Sequence, residues 1–262
     1  MQPRPYNDAM RSRSAFTVVE LVVAVGILVI LISMLMPSIN LIKEGTKRTQ
    51  CQSQLRQIGQ AHGVYAVGNG NQMVQGQPAA PGNGAGTGIH AVWGGTWQVV
   101  GDWDRYRGHG ALAHMEFIEP ELLYCPSWIV PWIQYGQCSA GSGGGAGNGW
   151  PLDNDPTGCG TTWIQTSYAY RSSINAPNYR APSVNIDPPN TPIMADHFSH
   201  QAGNRAVMEH HVDGYNVLTL DGAVHFVEDD GYKIRDTAGG NFFVTSTGYA
   251  FQEDVWKNDL KR

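Results

Sequence analysis

Residues Ala15 to Pro37 read AFTVVELVVAVGILVILISMLMP, and this stretch decides how the rest of the chain is read. From Leu21 to Ile42 no side chain carries a charge, a run of 22 residues. At about 1.5 Å of rise per residue the run covers roughly 30 Å as a helix, enough to cross a bilayer. A single carboxylate, Glu20, stands at its start. The preceding leader, MQPRPYNDAMRSRS, sets Arg4, Arg11 and Arg13 against Asp8. Basic residues ahead of an apolar run hold the leader on the cytoplasmic side and send the chain beyond the helix outward.

Two plainer readings compete. A secretory signal peptide has an apolar core of about 7–15 residues and a small-residue cleavage site. Here the core is longer, and Leu31 to Pro37 offers no A-x-A pattern. A simple membrane anchor has the right length, yet neither reading explains a carboxylate at the apolar edge, where an unpaired charge costs a few kcal/mol.

Ala15-Phe16-Thr17-Val18-Val19-Glu20-Leu21 resembles the processing site of type IV prepilins. The resemblance implies cleavage between Ala15 and Phe16 by a prepilin peptidase, which then methylates the new amino group. Glu20 is the fifth residue counted from Phe16, the family's assembly glutamate, and Pro37 is the twenty-second, where the family's helix is commonly kinked. Ala15 departs from the glycine that the family normally carries before the cut. A bacterial inner-membrane protein with one pass and an exported head follows from the resemblance, with the peptidase/N-methyltransferase and other pilin-like subunits as partners.

Composition agrees with export. Of 262 residues, 32 are Gly and only 15% are charged, which predicts long loops and weakly charged surfaces. Loss of the leader removes three Arg and one Asp and takes the formal charge from −5 to −7. An acidic chain lacks the excess Lys and Arg that neutralise phosphates, so no nucleic-acid partner is expected. Cys51, Cys125, Cys138 and Cys159 all lie on the exported side, where disulfides persist. Four cysteines allow three pairings; Cys138–Cys159 is preferred because both flank one Gly-rich excursion.

Beyond the apolar run the helix is expected to continue. Cys51, Leu55, Ile58, His62 and Tyr65 recur at a 4-3-4-3 spacing, one face of a helix. His62 reads as a half-buried helix residue, and Gly63 as a point of fraying unless the head clamps it. Residues 1–15 are then leader, 16–67 a transmembrane and spine helix, and 68–262 an exported head. In the head, Trp93, Trp97, Val99 and Trp103 are spaced as on one face of a strand, and ALAHMEFI predicts a short helix closed by Glu119-Pro120. Thr162–Tyr170, Pro192–Ala195 and Asn216–Leu220 are rich in strand formers. Asp221-Gly222 between NVLTL and AVHFV predicts a hairpin with Leu220 opposite Ala223 and Leu218 opposite His225. The fold class expected is α+β, a long N-terminal helix packed on a head dominated by an antiparallel sheet with Gly-rich loops.

Cys125-Pro126-Ser127, Ser167-Tyr168-Ala169-Tyr170, Ile193-Met194-Ala195-Asp196 and His211 followed by nine residues and Asp221-Gly222 occur in the order of a prepilin-type family with a C-terminal H-X9-DG motif. That resemblance covers most of the chain apart from the Gly-rich loops, and implies no reaction.

His211 and Asp221 invite a metal reading, but a strand over Asn216–Leu220 spans about 17 Å, whereas ligand atoms must lie within about 2–2.5 Å of one ion. The spacing therefore favours a turn at Asp221-Gly222 with His211 packing elsewhere. An alternative ligand set is Asp196, His197, His210, His211 and Asp213, suited to a transition metal. Asp153-Asn154-Asp155 opens like a calcium loop but has Ile164 where a bidentate Glu belongs. Glu228-Asp229-Asp230-Gly231 reads as a turn. No cofactor is expected beyond these calcium or transition-metal options.

There is no G-x-S-x-G, H-E-x-x-H or P-loop, and Ser167 and Cys125 have no base at an informative spacing. The expectation is a non-enzymatic pilin or pseudopilin subunit of a type IV pilus or type II secretion-like filament. The alternative is a membrane-anchored exported module binding a carbohydrate, a metal or a surface ligand.

Overall fold

A computed structural model describes residues 17–75, 91–94, 106, 108–128, 134–136, 150, 163–171, 180–197, 211 and 213–229. The processing residues Ala15 and Phe16, the pair Cys138 and Cys159, His210, the Asp153 loop, Trp97, Val99 and Trp103 lie outside them, as does the C-terminal tail.

The first element, α1, spans Val18–Gly68. Its start is fixed by a capping box: Thr17 Oγ1 accepts from the Glu20 amide at 3.3 Å, and Glu20 Oε2 accepts from the Thr17 amide at 2.9 Å. Two backbone donors that the first helical turn leaves orphaned are thereby satisfied. The window Val18–Met36 has a mean hydropathy of 2.9 and none of it is buried. Length and composition make this helix able to cross a membrane. The backbone is helical on both sides of Pro37.

The chain divides into two compact units, residues 1–43 and 44–262. The boundary falls inside α1, because Cys51, Leu55, Ile58 and His62 of that helix are core of the second unit. Cys51, Leu55 and Ile58 are fully buried and Tyr65 is partly buried against the core, on the face that their spacing predicts. The helix continues through Gly63, and His62 is buried outright where a half-buried residue was expected.

The second unit is built on a four-stranded antiparallel sheet, β3 (Tyr168–Tyr170), β4 (Pro192–Asp196), β5 (Gly214–Thr219) and β6 (Val224–Glu228), in that spatial order. Every residue of β3, β4 and β5 is buried, so polar–apolar alternation is missing from their sequences. Tyr168 lies opposite Asp196, Tyr170 opposite Met194, and Met194 opposite Leu218. With side chains alternating along each strand, these residues and Asn216 share one face. It is the face α1 packs on: Tyr168 Oη donates to Gln54 Oε1 at 2.7 Å, and His62 stacks on Tyr170 with ring centroids 4.9 Å apart.

A two-stranded ribbon pairs β1 (Ala91–Gly94) with β2 (Trp163–Gln165). The single strand expected over Thr162–Tyr170 is thus two, in different sheets. Between them Thr166 contacts His109 Nε2 at 2.7 Å, and the Ser167 amide donates to Leu123 O at 3.1 Å, so neither residue extends the ribbon. The helix α2 (His109–His114) ends before the expected stop. Glu116 has φ 60°, and Glu119-Pro120 opens a 3-10 turn over Pro120–Leu123 instead.

The β5–β6 hairpin sits where Asp221-Gly222 predicts, one residue out of the expected register. Leu218 pairs with Val224 and Val217 with His225. The loop is three residues, Leu220 to Gly222, closed by Thr219 N donating to Ala223 O at 2.9 Å. A two-residue turn would need positive φ at Asp221 as well; here only Gly222 has it, at 82°. Asp221 Oδ1 accepts from Thr219 Oγ1 at 2.6 Å and from the Ala223 amide at 3.0 Å, and so braces the longer loop.

Candidate functional site

Among the described residues of the second unit, a group of buried polar side chains surrounds His211. Its ring is held between α1 and β5. Gln52 Nε2 donates to Asn216 Oδ1 at 3.0 Å, Asn216 Nδ2 stands 3.0 Å from His211 Nε2, and His211 Nδ1 stands 2.6 Å from Glu44 Oε1. With Asn216 Oδ1 used as acceptor, its amide group donates to Nε2, and Nδ1 carries the ring proton toward Glu44. Ser127 Oγ adds a second donor to Glu44 Oε1 at 3.2 Å.

Asp196 lies behind the ring, its Oδ2 3.5 Å from His211 Nε2 and 2.6 Å from the Asn216 amide. Complete burial pushes its carboxyl up to about 6, against the pull of His211 and the Asn216 donors. The Cys51–Cys125 disulfide closes the same pocket, linking α1 to the segment after the 3-10 turn. Both sulfurs and a His211 ring nitrogen lie within 4.8 Å of one another. Of the three possible connectivities this is the complement of the favoured Cys138–Cys159, a pair that lies outside the described residues.

The motif residues His211 and Asp221 do not share a site. His211 precedes β5 and turns toward Glu44, whereas Asp221 follows β5 and braces the hairpin with Gly222. Of the expected ligand set, Asp196 and His211 come together. His197 is edge-on to Trp128, with ring centroids 5.5 Å apart, and Asp213 is ion-paired with Arg48, which also covers the Phe226 ring at 3.7 Å. The residues that replace them around His211, namely Glu44, Cys51 and Cys125, are distant in sequence, so spacing gave no signal for them. Asp229, expected in a turn, is buried, and its amide donates to Asp213 O at 2.9 Å.

No family model, no curated protein and no solved structure matches this chain. Function has to be read from its residues.

Chemically the His211 cluster is a tie. The imidazole and the Asp196 carboxylate are fully buried, and with Glu44, Gln52 and Asn216 they fasten helix to sheet. A more open feature is a groove of about 600 Å³ between α1 and the 3-10 region, lined by Gln57, Gln60, Val64, Glu116, Phe117 and Leu122 among others. Val64 and Phe117 are both exposed there. At the N-terminus, Glu20 is engaged within its own chain by the capping box, a role that the T-x-x-E spacing announces.

Proposed function

We propose that this chain is a pilin-like or pseudopilin subunit, inserted in the bacterial inner membrane, processed between Ala15 and Phe16 and assembled into a surface or periplasmic filament. The observation that carries this reading is one uninterrupted helix with two kinds of surface. Residues Val18–Met36 are apolar and unburied, whereas Cys51, Leu55, Ile58 and His62 of the same helix are core of an α+β unit. A soluble domain would cover the first surface, and a plain anchor would not extend into the core of the domain it carries. The prepilin-like spacing of Phe16, Glu20 and Pro37 supports the same reading. Prepilin peptidase and further pilin-like subunits are its proposed partners, and the membrane is its environment before assembly.

The deciding experiment is mass spectrometry of the native N-terminus together with shearing of surface or periplasmic filaments. N-methyl-Phe16 on chains recovered in the filament fraction is the expected result. An intact leader, or a cut elsewhere with no filament fraction, overturns the proposal. The second reading, an anchored exported binding module, is favoured by the groove along α1. It predicts ligand-dependent stabilisation without filaments.

A further inference from the structure

We propose that the dithiol form of this protein holds one zinc ion at Cys51, Cys125 and His211, and that formation of the Cys51–Cys125 disulfide expels it. The chain is synthesised with its cysteines reduced, so the dithiol precedes the disulfide. In the disulfide form the two sulfurs and a His211 ring nitrogen, from positions 51, 125 and 211, already meet at one buried point, and reduction in place would turn the sulfurs into two thiols beside the imidazole. Two Cys sulfurs and a His nitrogen are ligands that zinc prefers.

Three features favour a metal over an accidental cluster. The His211 ring is already oriented, because Glu44 Oε1 lies 2.6 Å from Nδ1; Nε2, which in the disulfide form accepts from Asn216 Nδ2 at 3.0 Å, would exchange that hydrogen bond for the metal. A carboxylate on the far nitrogen is the common way of fixing a zinc-bound histidine. Asp196 Oδ2 lies 3.5 Å from Nε2 and is the nearest carboxylate for the fourth position. The cysteine Cα atoms are 5.3 Å apart. Zn–S bonds of about 2.3 Å at a tetrahedral angle need sulfurs roughly 3.8 Å apart, which rotation about the two Cα–Cβ bonds supplies.

The chemistry balances. Two thiols and Zn²⁺ give a zinc dithiolate and two protons. Oxidation by thiol–disulfide exchange with an oxidised dithiol protein joins the two sulfurs. Their two electrons, with two protons from solvent, reduce the partner's disulfide to its dithiol, and Zn²⁺ leaves because a disulfide offers no thiolate. The metal and the disulfide are thus alternative staples between α1 and the segment at Cys125.

The test uses the full chain in detergent, with Cys138→Ser and Cys159→Ser removing the other thiols, reduced by a phosphine and titrated with Co²⁺ and then Zn²⁺. One Co²⁺ per chain, with thiolate charge-transfer and tetrahedral d–d bands, is expected in the reduced protein and absent in the oxidised one. His211→Ala should weaken binding by more than about tenfold. X-ray absorption on the zinc-loaded wild-type residues at this site keeps the test independent of that variant's folding. Two Zn–S distances near 2.3 Å and imidazole scattering near 2.0–2.1 Å are expected. No uptake by the reduced chain, equal uptake by the oxidised chain, or an all-oxygen shell overturns the proposal.

Discussion

Glu44 Oε1 and His211 Nδ1 lie 2.6 Å apart, although 167 positions separate them in the chain. Glu44 opens the second compact unit and His211 is the first residue of the H-X9-DG pattern, so the motif histidine fastens the helix to the sheet. The Glu44 side chain is 34% exposed, and solvent screens its half of the pair. Glu44→Ala alone should therefore cost less than His211→Ala, which also strips Asn216 and Asp196 of a buried partner. We expect about 1–3 kcal/mol for His211→Ala and a coupling of about 1 kcal/mol in the double-mutant cycle, read from denaturant unfolding. Strict additivity would show that the short distance carries no energy.

Gly59 and Gly63 predict opposite responses to the same change. A Cβ on Gly59 would lie 2.9 Å from Leu218 Cδ1, whereas one on Gly63 would meet nothing within 4 Å. Alanine gains up to about 1 kcal/mol of helix propensity at either site. At Gly59 this is outweighed by overpacking against the fully buried Leu218, which costs about 1–3 kcal/mol. Gly63→Ala should raise the melting temperature and Gly59→Ala should lower it. Stabilisation by both would show that α1 does not press on β5 at Gly59.

His62 predicts a pH dependence. Burial alone drives its imidazole down from 6.5 to about 3, and neither ring nitrogen has a hydrogen-bond partner among the described residues. The folded state refuses a proton that the unfolded chain takes up below pH 6.5. His62 therefore leaves stability intact above that value and removes it progressively as the pH falls toward 3, by at most about 1.4 kcal/mol per pH unit. His62→Phe keeps a ring to stack on Tyr170 and removes the titration. The difference in unfolding free energy between variant and wild type should widen from pH 6.5 to pH 4. A constant difference would mean that His62 protonates in place.

Processing is tested at Ala15. A small residue before Phe16 suits a peptidase that normally meets glycine there, so Ala15→Gly should keep or speed cleavage. Ala15→Leu should leave the full-length chain in the membrane. Equal processing of the two variants, followed by immunoblot, would show that the cut is not made at this site.

Local periodicity made part of this architecture legible. The 4-3-4-3 spacing of Cys51, Leu55, Ile58, His62 and Tyr65 marks the face of α1 that packs on the core, and strand formers mark β4 and β5. Asp221-Gly222 locates the hairpin, but its register turns on whether Asp221 adopts positive φ, a choice made by its bonds to Thr219 and Ala223. The run to Tyr170 looks continuous in sequence because the contacts that divide it, from His109 and Leu123, come from more than 40 positions upstream. The His211 cluster fails for the same reason on a larger scale: its partners at positions 44, 51 and 125 share no spacing with it. Thr17-x-x-Glu20 carries the spacing of a capping box in the sequence itself, and the structure forms that box.

That local role sharpens the prediction for Glu20. If the carboxylate only caps its own helix, Glu20→Gln retains most of the box, because a Gln side chain still accepts from the Thr17 amide. Insertion and head folding should then be unchanged, and Thr17→Ala, which removes the reciprocal acceptor, should be the more damaging change, by about 1 kcal/mol of helix stability. If Glu20 pairs with the Phe16 amino group of a neighbouring subunit, the order reverses. Glu20→Gln deletes the charge that offsets burial of that amine in hydrocarbon, while Thr17→Ala leaves the charge in place. The pilin proposal therefore expects Glu20→Gln to collapse the ratio of sheared-filament to membrane-bound protein, and Thr17→Ala to lower it far less. The anchored-module reading expects neither substitution to change how the protein partitions. A filament ratio unmoved by Glu20→Gln would remove the assembly role of the carboxylate and leave it as a helix cap.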